Sequence, residues 1–166
     1  MTLETEKLMD SAGWHLLEAL QQDARLSYTE LGQRVGLSAP AVAERVRRME
    51  DAGIISGYHA EINRSKLGLP ITAIIRMSTF PGDRCTRFTA SVQDIPEVLE
   101  CSRVTGDDSM IIKVMAASVE HLETLIDHLS EQGNITTSMV LSTPVDRRVL
   151  THSMMPGEES SHSSRI

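Results

Sequence analysis

The sequence predicts an α+β protein in two parts. A three-helix, winged-helix-like helix-turn-helix domain comes first, followed by a ferredoxin-like βαββαβ domain. Three observations lead there. Residues 27–53 place apolar side chains at helical spacing on either side of a Gly-containing turn. After Gly53 the pattern changes from helical to extended. From residue 71 onward the periodicity reads strand, helix, strand, strand, helix, strand. The expected boundaries are 10–62 for the helical domain with its connecting strand, 68–150 for the second domain, and 151–166 for a disordered tail. A chain of 166 residues is long enough for two small cores.

The stretch SYTELGQRVGLSAPAVAERVRRMEDAG, residues 27–53, organises the first part. Ser27 can N-cap a helix, with Glu30 three residues on completing a capping box. Leu31 and Val35, four apart, share its apolar face. Gly36 permits the left-handed conformation that ends it. Ser38 caps the next helix, and Pro40 sits in its first turn, where a missing N–H does no harm. Val42, Val46 and Met49 form the inward stripe of that helix. Upstream, Asp10 or Ser11 caps a helix to about Gln22, carrying Trp14, Leu16, Leu17 and Leu20. Residues 1–9 read as a loose arm.

Small side chains at the front of the second helix and arginines behind them suit major-groove DNA. A helix must approach base edges closely, and its flanks must neutralise phosphates. The candidate contacts to double-stranded DNA are Ser27 and Tyr28 on the first helix. On the second they are Ser38, Ala39, Pro40, Ala43, Glu44, Arg45, Arg47 and Arg48. Residues 25–48 hold five arginines against two glutamates, a local balance of +3. The plainer alternative is a structural helical hairpin, with Glu44 and Arg48 as a surface pair.

Beyond the hinge or strand at Ile54–Ile62, residues 71–79 alternate, with Ile71, Ala73, Ile75 and Met77 on one side. A helix is expected at 83–93, with Phe88 and Val92 four apart, and Pro96 stops it. Strands at 97–104 and 109–116 flank the turn-forming Thr105-Gly106-Asp107-Asp108. Ser118 caps a helix bearing Leu122, Leu125, Ile126 and Leu129. A last strand covers 135–141. Met110, Ile112 and Val114 alternate with Ile111 and Met115, so both faces of the sheet carry apolar residues. Two helices cover only one face, and a partner subunit is the economical cover for the other.

The chain as a whole is acidic, −7, with 16 basic and 23 acidic residues. DNA affinity follows the local patch rather than that sum. Aromatics make up 3 % of the chain, which disfavours base stacking on single strands. Cys85 and Cys101 lack CxxC spacing and read as reduced thiols of a cytoplasmic protein. No membrane span or signal peptide is expected. His121 and His128, seven apart, do not make a zinc site. With no phosphate-binding Gly-rich motif and no nucleophile elbow, neither an enzyme nor a cofactor is expected.

Leu31, Val35, Gly36-Leu37-Ser38, Glu44-Arg45-Val46, Arg48, Gly53-Ile54-Ile55 and Gly57-Tyr58 resemble the signature of the Lrp/AsnC family of transcriptional regulators. The similarity continues more weakly to about residue 150. The resemblance implies a sequence-specific DNA-binding regulator whose assembly or DNA binding responds to a small molecule, in this family usually an amino acid. It implies a homodimer that assembles further, to an octamer. It also implies that the loop at Thr105, Gly106, Asp107 and Asp108 contacts the effector, with Thr136, Thr137 and Ser138 as weaker candidates for lining the same pocket. The chemistry fits: N–H groups at Gly106 and Asp107 suit a carboxylate, and Asp107 or Asp108 an ammonium. The family often has an aromatic residue after this Gly and another two positions on. Here those places hold Asp107 and Ser109, which leaves a plain hairpin turn as the competing reading. The rival for the whole chain is a stand-alone amino-acid-binding or assembly protein whose helix-turn-helix does not engage DNA.

Overall fold

The computed structural model describes residues 3–79 and 91–155. Their contacts divide into two compact units, one of residues 3–60 with 145–155 and one of residues 61–79 with 91–144.

The first unit holds α1 (Leu3–Leu8), α2 (Ser11–Gln22), α3 (Tyr28–Val35) and α4 (Ala39–Asp51). The short α1 replaces the expected loose arm. Its reason is Leu8, which is only 2 % exposed and so has core to bury. Asp10, not Ser11, caps α2, its carboxylate accepting the Gly13 N–H at 2.9 Å. The capping box of α3 forms in both directions: Ser27 Oγ accepts from the Glu30 N–H at 3.3 Å, and Glu30 accepts from the Ser27 N–H at 2.8 Å. Gly36 ends α3 in the left-handed conformation, and Ser38 caps α4. Gly32 makes the turn possible in a second way. It is buried, and a Cβ there would overlap the Leu37 carbonyl. Leu16, Leu20, Leu31, Val42 and Val46 pack the core. Each such side chain contributes about 1.5–3 kcal/mol on burial.

Two boundaries differ from the sequence expectation. Residues 54–63 form no strand, so no wing strand follows α4 in this stretch. Residues 145–155, split between the second domain and the tail by the sequence, group instead with the helices. The Gln21 amide holds Leu150 at both ends, donating to its carbonyl at 3.0 Å and accepting its N–H at 2.9 Å. Beyond it a 3-10 turn at His152–Met154 sets the His152 ring 5.3 Å from that of Trp14. The expected tail beyond residue 155 lies outside the described residues.

The second unit opens with a 3-10 turn, Arg64–Leu67, capped by Asn63. Its elements are β1 (Ile71–Thr79), β2 (Val98–Arg103), β3 (Met110–Ala116), α5 (Val119–Ser130) and β4 (Gly133–Met139). The sheet order is β2-β3-β1-β4, with every pairing antiparallel, as a ferredoxin-like unit requires. The helix expected at 83–93, with Phe88 and Cys85, lies outside the described residues except for its end, where Val92 is buried. β4 begins two residues before the expected strand, because Gly133 and Asn134 already pair with Thr79 and Ser78.

Alternation along the strands separates two faces. Ala73, Ile75, Met77, Met110, Ile112 and Val114 pack beneath Leu122, Leu125 and Leu129 of α5. The opposite face bears Thr72, Ile74, Arg76, Ile111, Lys113 and Met115, and Ile111 there is 36 % exposed. Among the described residues no helix is long and apolar enough to cross a membrane.

Candidate functional site

Capping and burial orient α4. With Val42, Val46 and Met49 at 0–1 % exposure, Ser38, Pro40, Glu44, Arg47 and Arg48 are turned to solvent. Ala39 and Ala43 are half-buried at the front of the helix. Small groups therefore lead and charged groups follow on one accessible side.

The arginines differ from one another. Arg47 lies between two carboxylates, with Nε at 3.1 Å and Nη2 at 2.9 Å from Glu44, and Nη1 at 2.7 Å from Asp51. The Arg47 guanidinium holds the Glu44 carboxyl below its usual range, and Glu44 in turn raises Arg47. Spacings of three and four residues on one helix make both pairs readable from the sequence. Arg45 leaves the outer face. Its guanidinium pairs with Asp10 and donates to the Leu8 carbonyl at 3.2 Å. Its Nε is buried with no partner among the described residues. The hydrogen bond from Arg45, followed by that from the Gly13 N–H, pulls the Asp10 carboxyl below its usual value. Arg45 is thus a clamp between α4 and the start of α2, where the sequence placed it among the DNA contacts. The reason is position: it follows Val42 by three residues, on the edge of the buried stripe.

Ser27 and Tyr28 have structural partners as well. Ser27 is exposed and caps α3. Tyr28 is 44 % exposed and lines a recess of about 440 Å³ with Leu20, Leu26, Glu50 and Tyr58. The Tyr58 hydroxyl donates to Glu50 at 2.9 Å. Burial, then that carboxylate, pushes the Tyr58 phenol up to about 12.

In the second unit the β2–β3 loop is tied to the end of β1. The Ser109 N–H donates to the Met77 carbonyl at 2.7 Å, and Ser78 Oγ donates to the Asp107 carbonyl at 2.8 Å. Gly106 has φ 115°, a conformation that favours glycine, and the space where a Cβ would project is open. Thr105, Gly106 and Asp107 are exposed, and Asp108 is half-buried. Arg76 on β1, absent from the sequence candidates, brings a guanidinium nitrogen to 3.9 Å from Asp108. Its alternation marked it as outward-facing, but only the register brings it beside this loop. Thr136 pairs with Arg76 and Ser138 with Ile74, so both lie on the open face. Thr137 pairs with the fully buried Ile75 and lies on the helix side, away from the other two. No group of three or more His, Cys, Asp or Glu among the described residues is placed to hold a metal.

Comparison with known proteins fits both parts. Residues 9–50 match the AsnC-type helix-turn-helix domain, and residues 72–150 match the Lrp/AsnC ligand binding domain. The HTH-type transcriptional regulator LrpC of Bacillus subtilis is 35 % identical over 134 residues, covering 81 % of this chain and 92 % of LrpC. The leucine-responsive regulatory protein of Haemophilus influenzae is 31 % identical over 128 residues, covering 76 % of this chain and 77 % of that protein. Among solved structures, the transcriptional regulator NMB0573 of Neisseria meningitidis in complex with L-Met superposes with a TM-score of 0.80. It is 29 % identical, and the match covers 86 % of this chain and 96 % of that one. The relatives are named as transcriptional regulators, and this chain joins a DNA-binding helix-turn-helix to a small-molecule ligand domain. The chain belongs to the Lrp/AsnC family of transcriptional regulators.

Proposed function

We propose that this regulator acts in the cytoplasm as a homodimer that lays α4 in the major groove of its operator and answers to an amino acid bound at the 105–108 loop. The observation that carries the DNA reading is the Ser38-capped α4, whose accessible side combines Ser38, Ala39, Pro40 and Ala43 with Arg47 and Arg48. A lone helix-turn-helix reads too few base pairs for specificity, so two copies are needed on a two-fold operator. The open sheet face suits a second copy. Ile74, Ile111 and Met115 supply apolar area, and Lys113 with Glu100, 3.5 Å apart, supplies both charges for self-complementary pairing. Further assembly to an octamer follows the family resemblance.

The amino-acid reading draws on the ligand-binding match and on the relatives named for leucine and crystallised with L-Met. The loop adds an accessible Gly backbone and two carboxylates, with Asp108 the preferred partner of an ammonium and Asp107 the alternative. Thr136 and Ser138 on the neighbouring strand are secondary contacts.

Selection of bound genomic fragments, followed by gel shifts across a salt series, tests the DNA reading. Arg47→Ala and Arg48→Ala should each weaken binding across many sequences and flatten the salt slope by about one unit for each phosphate no longer neutralised. Parent-like binding by both variants would show that α4 does not lie along the phosphates. A monomer by sedimentation at micromolar concentration would remove the dimer.

A further inference from the structure

We infer that Arg76 is the residue that recognises the effector's carboxylate, with Asp108 taking its ammonium, so that the pair selects free amino acids over their amides and over simple amines. This rests on the amino-acid reading above and names the chemistry of that same site.

The geometry is that of a loose ion pair. The guanidinium nitrogen and carboxylate oxygen are 3.9 Å apart, beyond hydrogen-bond reach, and the two side chains are 51 % and 32 % exposed. An exposed pair at this separation contributes little by itself. A zwitterion between the groups replaces one loose attraction with two charge-assisted contacts, and a guanidinium can grip a carboxylate through two parallel N–H donors.

Both partners are held from behind. Asp108 lies between Asp107, whose carbonyl accepts from Ser78, and Ser109, whose N–H donates to Met77. Arg76 sits two residues before Ser78 on the same face of β1, which fixes the spacing of the two charges through one strand. Thr136, directly across from Arg76 on β4, carries a hydroxyl on the same face of the sheet. Asp107 gives the cluster Arg76, Asp107 and Asp108 a net charge of −1. Amino acids with uncharged or basic side chains are therefore favoured over aspartate and glutamate.

The test is a thermal-shift screen of the full-length protein with the twenty L-amino acids at up to about 10 mM, then calorimetry with the strongest and with its carboxamide. The expected parent result is a shift with the acid and about a tenfold to hundredfold weaker binding of the carboxamide, the worth of a hydrogen bond to a charged group. Arg76→Gln should bind both forms equally weakly, whereas Arg76→Lys restores part of the preference. Asp108→Asn should lose the complementary preference, for the amino acid over its deaminated acid. If Arg76→Gln still prefers the acid as strongly as the parent, the carboxylate is bound elsewhere on the loop and the inference falls, while the amino-acid reading stands. If no amino acid shifts the parent, both fall together.

Discussion

The turn between α3 and α4 and the loop between β2 and β3 are both tight connections containing a left-handed glycine, yet they are built in opposite ways. The first is local. Ser27 with Glu30, Gly36, and Ser38 with the Ala41 N–H each act within their own short stretch of chain. The second is imposed from a distance. Ser78 and Met77, about thirty residues upstream, fix Asp107 and Ser109, and Arg76 reaches towards Asp108. A reader of base sequence benefits from a rigid, self-determined element. A loop with the proposed ligand response benefits from being coupled to the sheet, because a ligand shifts an equilibrium only through contacts that differ between states.

The largest expected effect attacks the local element at its core. Leu31→Ala should destabilise the helical unit by about 2–5 kcal/mol and abolish DNA binding. Ligand-induced stabilisation of the sheet unit should remain. A single transition that moves as a whole in calorimetry would break the contrast between an autonomous and a coupled connection.

Next comes Gly106→Val. At φ 115° a β-branched residue is strained by about 1–3 kcal/mol, although nothing lies where its Cβ would project. The loop should shift, and the ligand's effect on assembly or DNA binding should vanish with ligand-free DNA affinity intact. Equal ligand response in parent and variant, read by thermal shift, would return the loop to being a plain turn.

A smaller effect is expected from Glu44→Gln. Removing one of the two carboxylates on Arg47 frees that arginine for phosphate. DNA affinity at low salt should rise about two- to fivefold, in the range of one exposed ion pair. A fall in affinity would mean that Glu44 itself contacts the DNA.

The smallest effect is a pH limb. The Asp10 carboxyl is lowered in the folded chain, first by the hydrogen bond from Arg45. Its contribution to stability is therefore complete above the ordinary carboxylate value of 3.8 and is lost as pH falls through the lowered one. Acidification below about pH 4 should cost the parent helical unit more than it costs an Arg45→Met variant, as measured by circular dichroism. Parallel acid limbs would show that the clamp has no electrostatic share.

The same contrast explains what was legible. Caps, the Gly36 turn, the stripes of α4 and α5, and the alternation of β1 and β3 are short-range patterns, and they emerged with the right residues. So did the antiparallel sheet, because strand order follows from the element sequence. The pairing of Arg45 with Asp10 was not legible because a helix edge is ambiguous until the neighbouring helix is known. Leu8 was missed because six residues of α1 are too few to show a period. The place of Arg76 beside the loop depends on register, a long-range property, whereas the separation of Thr137 from Thr136 and Ser138 follows from strand alternation and was legible but missed.

The return of residues 145–155 to the helices has a consequence for how the molecule is made. Gln21 and Trp14 leave the ribosome early, but Leu150 and His152, which they meet, are synthesised after the entire sheet unit. The part that begins first is therefore completed last. A nascent or truncated chain ending near residue 60 has its helix-turn-helix caps but an uncovered Trp14 edge. An expression fragment meant to isolate the DNA-binding half should carry residues 145–155 on a short linker if it is to behave as it does in the whole protein.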